Sequence, residues 1–267
     1  MKTLIRTEFK RNFKSWVLWT AIIAGLAALM LFLFPAFEDA FAEIEDFLSI
    51  YPPEFLEAFG IGEGGLDMTD IYGWFGVEGY LFVTLIGGSY AAIIGSSMLS
   101  KEEDDHTIEF LLAQPISRSR ILFGKFIVIA LYLLMMNAVV SVVLLVAFSV
   151  FGELEPVIWL LYSFAPVLLQ LVFASVALLI SIFVTKSRRV MSIALGLSLG
   201  MYVVDLISKL TEEAEFLKYI TPYEYVNATT IVKEQRIEPL YLFLSLVIIV
   251  VSLFLTWRLY RKKDIAT

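Results

Sequence analysis

The chain reads as an all-α integral membrane protein of six transmembrane helices with both termini in the cytoplasm, on three observations. Hydrophobic residues make up 59% of the 267 positions and charged residues only 18%, more apolar surface than a globular core of this size needs. Six charge-poor runs approach the roughly 20 residues with which a helix crosses about 30 Å of hydrocarbon. The segments between them alternate in character, basic on one side and acidic on the other.

The runs are residues 16–37, 79–100, 126–152, 156–185, 190–208 and 239–257. The third and fourth exceed the hydrocarbon thickness, which predicts tilt or extension past it; Pro166 predicts a kink in the fourth. Lys2, Arg6, Lys10, Arg11 and Lys14 precede the first run, and Lys101, Arg118, Arg120 and Lys125 lie between the second and third. Lys186, Arg188 and Arg189 separate the fourth from the fifth, and Arg258, Arg261, Lys262 and Lys263 follow the sixth. The excess of Lys and Arg on cytoplasmic loops then puts both termini and residues 101–125 inside, in the cell (plasma) membrane. Residues 38–78 carry many acids and no Lys or Arg, and with residues 209–238 they form the external segments.

Residues 1–15 are amphipathic. Ile5, Phe9, Phe13, Trp16 and Val17 share one side and Arg6, Lys10 and Lys14 the other, the pattern of an interfacial helix that lies on the inner surface before turning into span one. In the first external segment Ile44, Phe47, Leu48 and Tyr51 recur at helical spacing, predicting a short surface helix ended by Pro52 and Pro53. Phe216, Leu217 and Ile220 predict another before the break at Thr221-Pro222-Tyr223.

Several chemistries are excluded. With no cysteine there are no disulfides, thiolate metal sites or cysteine nucleophiles, and a single histidine, His106, cannot build a histidine metal cluster or a serine–histidine pair within the membrane. No metal site and no catalytic residue are expected. A phosphate-cradling Walker loop needs G-x-x-x-x-G-K-[ST]; Gly124-Lys125 is followed by Phe126 and no glycine stands five residues earlier. Any nucleotide is therefore bound by another chain, and this chain has no cofactor of its own. Gly60, Gly62 and Gly65 satisfy G-x-G-x-x-G literally, but no strand precedes them, so they read as a turn. The net charge of -7 argues against a nucleic-acid partner.

Polar residues within the spans are candidates for a pathway. Asn137 and Gln170 lie deep, whereas Asp205 falls roughly 22 Å from the start of its run, near the outer interface, at 1.5 Å per helical residue. Interhelical hydrogen bonding accounts for the two amides equally well. Gly88, Ala92 and Ser96 recur every fourth residue in span two, as do Gly87, Ala91 and Gly95 beside them; Ser192, Gly196 and Gly200 do so in span five. Such stripes let helix backbones approach closely, within the chain or across a dimer.

The stretch KEEDDHTIEFLLAQPISRSRILFGK, residues 101–125, is the charged exception between two apolar spans. Asp104 or Asp105 can cap a short helix with Ile108, Leu111 and Leu112 on its apolar face, which Pro115 ends; Arg118 and Arg120 mark the interface. The run Thr107, Ile108, Glu109, Phe110, Leu111, Leu112, Ala113, Gln114, Pro115, Ile116, Ser117 and Arg118, followed by Lys125, resembles the pattern E-x-x-x-G-T-x-E-x-L-L-x-x-P-x-S-R…K of ABC-2 type permease subunits of ATP-binding cassette transporters. His106 stands where that pattern commonly has glycine. The resemblance implies that Thr107–Gln114 form a cytoplasmic coupling helix that inserts into a groove of the ATPase. It also implies a pair of ABC ATPase subunits as partners, which bind ATP and Mg, and a second copy or a paralogous permease beside this one. Export is the implied direction. The alternative reading, an ion-coupled secondary transporter using Asp205, Asn137 or Gln170, needs charged or broken helices near the midplane, and the sequence offers little of either.

Overall fold

The computed structural model describes residues 2–38, 50–52, 55–56, 59–61, 65–105, 116–152, 154–184 and 186–263. Six helices among them are long and apolar enough to cross a membrane. The first, α1 (Lys2–Glu38), is one uninterrupted helix of 37 residues. The basic segment and span one are therefore a single rod, and the turn expected near Trp16 is absent. Its cause is packing: the Phe9 ring stacks on Tyr132 at 4.6 Å, the Tyr132 hydroxyl donates to the Phe9 carbonyl, and the Trp16 indole N–H donates to the Tyr132 carbonyl at 3.0 Å.

Span two begins earlier than its apolar run. Asp70 caps the short helix α2 (Ile71–Trp74), its carboxylate accepting from the amides of Tyr72 and Gly73. A π-helical turn, Phe75–Gly79, joins α2 to α3 (Tyr80–Asp104). Gly73 is required here, since a β-carbon on it would stand 1.7 Å from the Asp67 carbonyl oxygen. Lys101, Glu102 and Glu103, expected in the cytoplasmic segment, thus belong to the helix of span two. That segment shrinks further because α4 (Arg118–Phe151) starts at Arg118, with Ser117 as its cap. Apolar runs measure hydrocarbon thickness, whereas the backbone hydrogen-bond ladder continues wherever polar side chains find partners.

Helix α5 (Pro156–Phe183) continues through Pro166 and lies at the centre, packed on α3, α4, α6 (Ser187–Leu210) and α8 (Pro239–Lys262). The close approach of α3 to α5 rests on the predicted small residues: a β-carbon on Gly95 would lie 2.4 Å from the Ala174 carbonyl, and Gly88 abuts Leu169, Phe173 and Tyr223. Ala92 and Ser96 are buried on the same helix. Gly196 and Gly200 are different; nothing lies within 4 Å of where their β-carbons would be, and both are exposed. In the most apolar stretch 67% of α5 is buried but only 22% of α6, which makes α6 a peripheral helix.

Between α6 and α8 the chain forms two 3-10 turns, Glu212–Tyr219 and Glu224–Val226, and the short helix α7 (Ala228–Glu234). The surface helix expected around Phe216 is thus 3-10, not α. The break after it folds inward: Thr221 is fully buried and donates to the Met201 carbonyl at 2.9 Å, and the Tyr223 hydroxyl meets Ser198 at 3.1 Å. Gly60 has a left-handed φ of 79° and its carbonyl accepts from Leu66, so the glycine-rich stretch is a turn where it is described. The surface helix expected across residues 44–51 lies largely outside the described residues. The described residues at the two ends of the chain, from Lys2 and up to Lys263, sit at one end of the bundle, called terminal below; the other end is distal.

Candidate functional site

The terminal end is organised around one lysine. Lys125, on the first turns of α4, has no exposed surface, and its Nζ donates to Glu8 Oε1 of α1 at 2.8 Å, Glu102 Oε1 of α3 at 2.7 Å and the Met98 carbonyl at 2.6 Å. Arg11 stands 3.7 Å from Glu8 and 3.8 Å from Glu102, so two carboxylates balance two cations. The three ammonium protons thus reach three acceptors, the arrangement a buried lysine needs to remain charged. Around this cluster α6 and α8 are tied to the same place. Arg118 donates to the carbonyls of Tyr260 and Lys263, covering the end of α8, and the Trp257 indole donates to Ser119 Oγ. Lys263 pairs with both oxygens of Glu103 at 2.7 and 2.8 Å. The Asp104 carboxylate accepts from the Ser187 amide at the start of α6.

Asp104 is the last residue of α3 and Asp105 its C-cap, and Asp104 holds the start of α6; the helix they are expected to cap lies outside the described residues. Arg118 reaches the end of the last helix. Thr107, Ile108, Glu109, Leu111, Leu112, Gln114 and Pro115, with His106, lie outside the described residues.

At the distal end a cavity of 270 Å³ opens between the π-helical turn, α3, α6 and the Tyr223–Thr229 stretch. Asp205 lines it and pairs with Lys209 at 2.7 Å, one helical turn on; Lys209 also lies 3.2 Å from Glu224. Asn137 and Gln170 do not line this cavity. Both are fully buried, the Asn137 amide donates to Gln170 Oε1 at 2.6 Å, and Gly87 leaves the room that Gln170 fills. The candidate pathway residues therefore separate into a core pair bonded to itself and a distal ion pair beside a cavity.

A family model described as ABC-2 family transporter protein matches residues 3–265, nearly the whole chain. The chain belongs to the ABC-2 transporter family. No individual curated protein matches it. It is accordingly a multi-pass membrane protein and a permease of an ABC transporter, from a family whose membrane subunits have no ATPase site of their own and associate with an ABC ATPase.

In this permease the terminal cluster is the arrangement that sequence reading missed. Glu8 is the lone acid in a basic amphipathic segment, one helical turn after buried Leu4, and that exception to the pattern was its signal. Glu102 had no comparable signal, because it stands among other acids. Removing one partner of a buried ion pair costs about 3–5 kcal/mol, since the others stay buried without a counter-charge. Lys125→Met should destabilise the permease by that order, read by denaturation in detergent, and adding Glu8→Gln and Glu102→Gln to Lys125→Met should recover most of the loss.

Proposed function

We propose that the chain is one half of an exporter: two such subunits, identical or paralogous, enclose the pathway, and two separate ATPase subunits drive it from the cytoplasm. ATP and Mg belong to those partners. The terminal end is then cytoplasmic, in keeping with its Lys and Arg, and the membrane is the cell membrane. Thr107, Ile108, Glu109, Leu111, Leu112 and Gln114 form the coupling helix, Pro115 ends it, and Arg118 secures its exit. The exposed Gly196 and Gly200 on peripheral α6 suit close packing on a second subunit.

One observation carries this reading. The residues on either side of 106–115 are bonded to α1 through Lys125 and Glu8, to α6 through Asp104, and to α8 through Arg118 and Glu103. A displacement of that segment by an ATPase is therefore delivered to most of the spans at once. A loop held by one helix would not do this.

Replacing Leu111 and Leu112 together by Asp should abolish copurification of the partner ATPase while membrane insertion is unchanged; undiminished copurification refutes the docking assignment. Orientation is tested cleanly because the chain has no cysteine of its own. With single cysteines at Thr3 or Thr69, an impermeant maleimide applied to intact cells should label Thr69→Cys only. Labelling of Thr3→Cys alone would invert the topology.

A further inference from the structure

The distal cavity has an electrostatic character of its own. One wall is the π-helical turn, a distortion that recurs at functional sites. It presents Glu78, half-buried, which has no hydrogen bond or ion pair among the described residues. The opposite wall is α6, with Tyr202, Asp205 and Lys209. Asp205 is 4% exposed, its Oδ2 is held by Lys209 and its Oδ1 has no partner. Lys209 divides its charge between Asp205 and Glu224, so carboxylates outnumber cations around the space.

The rest of the lining is aromatic. Tyr80 is 4% exposed, with its hydroxyl unpartnered. The rings of Tyr202 and Tyr223 meet at 70° with centroids 5.5 Å apart. Such faces attract a cation that carries apolar groups.

These features select a ligand class. An anion is repelled by Glu78 and Asp205. A neutral apolar ligand would bury both without compensation, which is costly. A bare metal ion does not fit either, because among the described residues no three metal-binding side chains converge. The volume of 270 Å³ is near the lower end for small-molecule sites.

We propose that this cavity binds a small organic cation, its ammonium group between Glu78 and Asp205 Oδ1 and its apolar body against Tyr80, Tyr202 and Tyr223. Organic ammonium compounds are then the substrate class, a second claim that rests on the transport function above. The ammonium can belong to a free solute or to a lipid headgroup.

The test uses the full-length permease in phosphatidylglycerol nanodiscs, titrated calorimetrically with benzyltrimethylammonium and with its uncharged carbon isostere neopentylbenzene. Saturable binding of the cation is expected, weakened about tenfold or more by Glu78→Gln and by Tyr202→Leu, with the isostere bound far more weakly. Glu78→Gln should leave the melting temperature unchanged, since Glu78 makes no contact that holds the fold. Absence of saturable binding, equal affinity in Glu78→Gln, or equal retention of neopentylbenzene overturns the site. Phosphatidylethanolamine in the nanodisc competes if the headgroup is the source and does not if a free cation is. Binding needs no ATPase, so a bound cation that leaves ATP hydrolysis by the assembled transporter unchanged keeps the site and overturns its substrate role.

Discussion

The junction of α1, α3 and α4 at the terminal end depends on pairing the ammonium of Lys125, which has no exposed surface. An ammonium in that position is tolerable only if each proton has an acceptor and the net charge is cancelled locally. Glu8, Glu102 and the Met98 carbonyl supply the acceptors, and because they come from α1 and α3 the requirement fixes three helices to each other. Arg11 completes the balance from α1. The continuity of α1 follows from the same constraint: a surface helix that turned near Trp16 would carry Glu8 away from Lys125.

The distal end is held by different physics. Away from the Asp205–Lys209 pair and the Asp70 cap the contacts there are aromatic and neutral: the Trp74 indole donates to the Met30 carbonyl, and the Tyr162 hydroxyl donates to the Tyr72 carbonyl. Thr221-Pro222-Tyr223 plugs the bundle from the same side. Neutral hydrogen bonds are individually weaker than charge-assisted ones, so these contacts can rearrange at lower cost than the Lys125 cluster.

The spans were legible because the hydrocarbon thickness leaves a one-dimensional mark, and the position of Asp205 near the distal end followed from counting residues. Helix ends were less legible, since α3 and α4 run beyond their apolar stretches on polar contacts that only the fold creates. The pairing of Lys125 with Glu8, 117 positions away, was invisible for the same reason; each residue alone reads as an interfacial charge. The glycine stripes show the limit of spacing as a signal. Gly88 and Gly196 carry the same pattern, yet one is pressed on α5 and the other faces outward.

The role assigned to the Lys125 cluster is to carry displacement of residues 106–115 into α1. Glu8→Gln tests it most directly, because Glu102 still pairs with Lys125 and residues 106–115, the segment proposed to dock the ATPase, are untouched. The quantity to measure is ATP hydrolysis by the partner ATPase in complex with the permease, relative to the ATPase alone. If the cluster transmits the motion, Glu8→Gln retains the ATPase but changes that ratio by on the order of tenfold, the effect of losing one charge-assisted hydrogen bond. An unaltered ratio in a fully assembled complex would contradict it.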